Sequence, residues 1–98
     1  MNRLTFVAAA AVILATPAAA HEVRVSLAGK SAAQIHTDIV QAASEVCWAQ
    51  HRHDDLRAYT YPRCIQASVK NAVAQIGDAG LTAYAQANPR AWRRYAAR

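Results

Sequence analysis

The densest set of metal-capable side chains in the chain is His51-Arg52-His53-Asp54-Asp55. Two imidazoles and two carboxylates within five residues suit a borderline divalent ion such as zinc or copper, provided the chain converges them. The spacing matches no structural-zinc pattern, so the plainer reading is a solvated polar loop in which Asp54 or Asp55 turns the chain. A second candidate is His21, which becomes the first residue if the chain is cut after Ala20. Its α-amine and imidazole would then chelate copper(II) together, with His36 or the His51/His53 loop supplying a further nitrogen. The third candidate is the C-terminus, where Arg90, Arg93, Arg94 and Arg98 accompany Trp92 and Tyr95. Such a segment holds anionic lipid, lipopolysaccharide phosphates or a polyanion, with Trp92 as the interfacial anchor. The competing reading leaves the arginines solvated and docks Trp92 back on the fold.

No enzyme signature is present. The chain has no glycine-rich phosphate loop, no Gly-x-Ser-x-Gly and no His-Glu-x-x-His, and only six acidic residues, of which Asp54 and Asp55 are neighbours. No cofactor is implied, and a cavity of substrate size is not expected in so small a domain.

These residues need a frame, and the composition limits it. The chain has 98 residues, of which 54% are hydrophobic, but much of that fraction is alanine and contributes little core volume. Lys+Arg exceed Asp+Glu by 11 to 6, a modestly basic balance. Residues 1–20 carry the three parts of a cleavable Sec signal: the basic start Met1-Asn2-Arg3, an apolar run from Leu4 to Ala15 broken only by Thr5, and small residues ending in Ala18-Ala19-Ala20. That run is too short to span a bilayer as a helix. The expectation is an exported, periplasmic or secreted bacterial protein with no membrane span after cleavage. Nucleic acid is therefore not an expected partner. Residues 21–98 would form a single small domain with a basic tail from about residue 88.

Within that domain the apolar pattern changes period once. Glu22 to Ala28 alternates, with Val23, Val25 and Leu27 on one side, the mark of a half-buried strand. A lone strand lacks a partner, so it either docks across the helices or pairs with the same strand of a second copy. Ser31 and Gln34 match a capping box, and Ile35, Ile39, Ala42, Ala43 and Val46 recur at helical spacing to about Gln50. Residues 51–60 read as a connection. Pro62 suits a first helical turn, and Ile65, Val69, Ala72, Val73 and Ile76 give a second stripe, with Gly77 and Gly80 around Asp78 as its stop. Leu81 to Ala87 reads as a short third helix stopped before Pro89. The fold class is mainly α: a short N-terminal strand, an antiparallel helical hairpin and a short C-terminal helix.

Cys47 near the end of the first long helix and Cys64 near the start of the second fall at the same end of such a hairpin. In an exported chain they read as a disulfide; their spacing is unlike a Cys-x-x-Cys redox pair. Trp48, Tyr59 and Tyr61 flank the same helix ends and read as an aromatic cover on the core with polar tips in water.

The order of these features resembles the UrcA family of small exported bacterial proteins. The likeness rests on Val23-Arg24-Val25-Ser26-Leu27-Ala28 after a signal peptide, the helix ending Ala42-Ala43-Ser44-Glu45-Val46-Cys47, the stretch from Leu56-Arg57 to Tyr61, and Cys64 opening a helix through Ala72-Val73-Ala74-Gln75-Ile76. It covers residues 22–84. The chain departs from the pattern at Gly29-Lys30, where members continue with an acidic-apolar segment. The resemblance implies a two-cysteine periplasmic or secreted protein and brings no biochemical activity with it. The expected role is a non-enzymatic envelope interaction protein whose partner is an envelope protein or an anionic surface. The alternative is a periplasmic copper- or zinc-binding protein using the His51/His53 loop.

Overall fold

A computed structural model describes residues 11–16 and 19–97, with side chains described from Val25 onward. Four helices follow two strands in the order β1 (Ala11–Thr16), β2 (Ala19–Ser26), α1 (Ala32–His51), α2 (Arg57–Ile76), α3 (Ala79–Ala87) and α4 (Arg93–Ala96). The mainly helical class and the helical hairpin expected from the sequence are both present. Among the described residues no helix is long and apolar enough to cross a membrane.

The strand is displaced from its alternation, starting at Ala19 and ending at Ser26 so that Leu27 and Ala28 lie beyond it, and it is not alone. β2 pairs antiparallel with β1, in a register that sets Val12 opposite Val25 and Leu14 opposite Val23. The partner lies inside the segment expected to be the leader, where β-branched and apolar residues suit a strand as well as a signal core. Gly29, with φ of +70°, then turns the chain toward α1 in a conformation that side chains with a Cβ resist.

α1 starts at a full capping box. The Ser31 hydroxyl accepts the Gln34 N–H at 3.2 Å and the Gln34 side chain accepts the Ser31 N–H at 2.9 Å. Its inner face buries His36, Ile39, Val40, Ala43, Val46 and Cys47 at three- and four-residue intervals. This helix is the hub of the fold: β2, α2, α3 and α4 all pack against it. α2 supplies Tyr61, Ile65, Ala72 and Val73 to the same core.

α2 begins at Arg57, five residues before Pro62. A proline in the sequence marks a first turn by rule, but here a local turn starts the helix earlier. Asp54 Oδ1 accepts the Leu56 N–H at 2.9 Å, and the Leu56 carbonyl accepts from Tyr59 and Thr60 at 2.8 and 3.0 Å. Pro62 withholds one hydrogen bond from the carbonyl four residues earlier, on Ala58, whose exposure keeps that loss cheap.

The two long helices are joined by the Cys47–Cys64 disulfide, with Cα atoms 5.8 Å apart. Gly77 at φ of +66° ends α2, and Asp78 opens α3 by accepting the Leu81 N–H at 2.8 Å. Leu81 is fully buried and anchors α3 to the hairpin. Asn88 closes α3 before Pro89 by donating both its backbone N–H and its side-chain amide to the Tyr84 carbonyl.

Candidate functional site

The loop that holds the sequence's metal candidates is a helix end and a turn. His51 is the last residue of α1, and its Nδ1 lies 3.6 Å from Asp54 Oδ2. The Leu56 N–H, followed by the Thr60 side chain and His51, holds the Asp54 carboxyl below the usual carboxylate range. Asp54 is thus occupied in starting α2, while His53 and Asp55 face solvent. Among the described residues no three His, Cys, Asp or Glu side chains converge as a metal centre. The side chain of His21 lies outside the described residues.

His36 cannot complete a site with His51. The two stand on one helix, about 22 Å apart along its axis. His36 is instead 4% exposed and sits edge-on to Tyr84, with ring centres 5.3 Å apart. Burial pushes its pKa below the ordinary histidine value, so the ring is held neutral.

The aromatic cover differs from expectation at two of its three residues. Trp48 and Tyr61 meet edge to face at 5.4 Å. Tyr61 is 3% exposed, and its hydroxyl donates to the Tyr95 carbonyl at 2.9 Å rather than to water. Tyr59 is 72% exposed and covers nothing, because it lies within α2 two residues from buried Tyr61 and so on the opposite face of the helix.

That Tyr61–Tyr95 bond fixes the C-terminal segment. Trp92, Tyr95 and Ala96 pack against the core, so Trp92 faces the fold instead of standing out as an anchor for a surface. Arg90, Arg93 and Arg94 remain exposed at this end, and the Arg93 guanidinium lies 5.9 Å from the centre of the Trp92 ring. The arginines are therefore displayed from a docked element and not from a free tail.

Where this segment folds back over the hairpin it leaves two cavities, contrary to the expectation that so small a domain has none of substrate size. One, of about 490 Å³, lies between α1, α2 and α3, with Val40, Val69, Val73, Ala85 and Trp92 in its walls and Gln66 and Lys70 on the α2 side. The other, of about 390 Å³, includes Thr37, Tyr84, Arg90 and Arg94. His36, Val40 and Asn88 belong to both. Neither contains a carboxylate among its walls. The cause is compositional: valine and alanine at positions 69, 73, 74 and 85 are too small to close the wedge between crossing helices. Lys70, Thr37 and Tyr84 had no motif to single them out, and only the excess of alanine over large apolar residues hinted at an incompletely filled interior.

No family model matches the chain, and no curated protein or solved structure matches it either. The likeness to the UrcA family rests on the order of sequence features alone.

Proposed function

We propose that residues 1–20 are a cleavable export leader and that residues 21–98 act as a small, non-catalytic, UrcA-like protein of the bacterial periplasm or exterior, binding an anionic surface of the envelope. The observation that carries this reading is the fixed display of Arg90, Arg93 and Arg94 on a segment docked by Trp92 and by the Tyr61–Tyr95 hydrogen bond. Charges held in place lose less conformational entropy on binding than charges on a loose tail. The copper- or zinc-binding alternative has less support, because among the described residues only His51 and Asp54 of the candidate ligands approach one another.

The test uses the exported, oxidised protein and phosphatidylglycerol-containing vesicles at low salt. Each arginine near an anionic surface is worth about 1 kcal/mol, so the pair Arg93→Ala and Arg94→Ala weakens co-sedimentation by about thirtyfold. Unchanged binding by this variant, or equal binding to neutral phosphatidylcholine vesicles, overturns the reading. Copper and zinc titration of the same sample tests the alternative.

A further inference from the structure

We propose that the two cavities meeting at His36 form a binding site for a single-chain anionic amphiphile, its acidic head held by Arg90 and Arg94 and its hydrocarbon chain lying along Val69, Val73 and Trp92. The proposal rests on the reading of the arginine end as an anion-binding face, and it names a soluble ligand for that face.

Three features of different kinds converge here. The larger cavity has the volume of ligand sites, which run from roughly 300 to 1,000 Å³, and its lining surface is mainly apolar, from Val40, Val69, Val73, Ala85 and Trp92, with polar groups such as Gln66 and Lys70 at its edge on α2. The smaller cavity carries two arginines and no carboxylate, so its field favours a negative head group. Between them stands His36, which is 4% exposed and has no hydrogen-bonding partner among the described residues, its one ring neighbour being the edge of Tyr84. Buried polar groups are nearly always paired, and an unpaired one at a cavity wall is a group waiting for an oxygen. A head-group oxygen seated beside Arg90 and Arg94 would accept from the imidazole N–H.

The order of polarity also selects the ligand. An apolar molecule without charge leaves His36 and the arginine cavity unused, and a small anion leaves the aliphatic cleft unused. Only a molecule with both parts engages both cavities, and the shared walls at Val40 and Asn88 put its junction next to His36.

Isothermal titration of the exported, oxidised protein with dodecanoate, kept below its micelle concentration, tests this. We expect one dodecanoate per chain, with acetate and dodecyltrimethylammonium each binding at least about tenfold more weakly. Val69→Phe fills the cleft and weakens dodecanoate at least about tenfold while leaving vesicle binding unchanged; Ala85→Leu serves the same purpose should Val69→Phe fail to fold. In the unaltered protein, the His36 ring resonances shift as dodecanoate saturates. Equal affinity for the cationic amphiphile, full affinity in a folded cleft-filling variant, or His36 resonances that do not move would each overturn the proposal. Dodecanoate binding without vesicle binding overturns only the surface reading, and vesicle binding without dodecanoate binding overturns only the cavity.

Discussion

His36 sits where two requirements oppose each other: its ring is wanted as volume between α1 and α3, while its nitrogens want partners that the surrounding valines do not offer. The fold accommodates it neutral. Because the folded chain resists protonating His36 and the unfolded chain does not, the unfolded state takes up the extra proton as pH drops below about 6.5. Stability therefore falls as the pH is lowered from that value through the depressed value of the folded state. Urea midpoints measured from pH 7 to pH 5 should decline, and His36→Phe should flatten the decline; identical slopes in the two proteins would show that His36 is not responsible. Asp54 acts in the same direction at lower pH, since a carboxyl held below its ordinary range supports the fold when ionised and withdraws that support as acid protonates it. At this scale the sequence is a partial guide. It marked His51, His53, Asp54 and Asp55 by their chemistry and offered Asp54 or Asp55 as the turn residue; the hydrogen bond from the Leu56 N–H shows that Asp54 takes that part, with His51 beside it, while His53 and Asp55 stay in solvent.

At the scale of elements the hairpin is the firmest part of the design. Cys47 and Cys64 tie α1 to α2 where the connecting turn spans only residues 52–56, and both helices bring alanine-rich stripes that bury little area on their own. Loop-closure entropy makes this bridge worth about 3 kcal/mol, so the pair Cys47→Ser and Cys64→Ser should lower the melting temperature by roughly 12–24 °C. A change of a few degrees would mean that the core holds the hairpin without its bridge. The periodicity of α1, its Ser31–Gln34 box and the stop at Asn88-Pro89 were readable because they depend on neighbours in sequence. The start of α2 was not, since a proline rule that favours the first position yielded to the turn at Asp54. The partner of β2 was hidden for another reason: residues that read as a leader also pair as a strand. Removing residues 1–20 deletes every ladder partner in that sheet, so amide exchange at Val23 to Ser26 should be much faster in the cleaved protein than in the full chain. Equal protection in both would show that another strand takes the vacated edge.

At the scale of the whole molecule the net charge of +5 matters less than where it is displayed. The hairpin, Leu81 and the Tyr61–Tyr95 bond together hold the C-terminal segment against α1, so that Arg90, Arg93 and Arg94 share one end of the fold. The sequence indicated a basic, aromatic terminus but left its anchoring open, because the choice between a docked and a solvated Trp92 is made by tertiary contact. The cavities around His36 were equally invisible, being the space left by valines and alanines on three separate helices. The proposed charge-driven binding of this end to an anionic surface is measured by co-sedimentation of the oxidised, exported protein with phosphatidylglycerol vesicles across a salt series. Screening shortens from about 30 Å at 0.01 M to about 8 Å at physiological ionic strength, so binding should weaken steeply over that range; binding that does not change with salt would rule out a charge-driven contact.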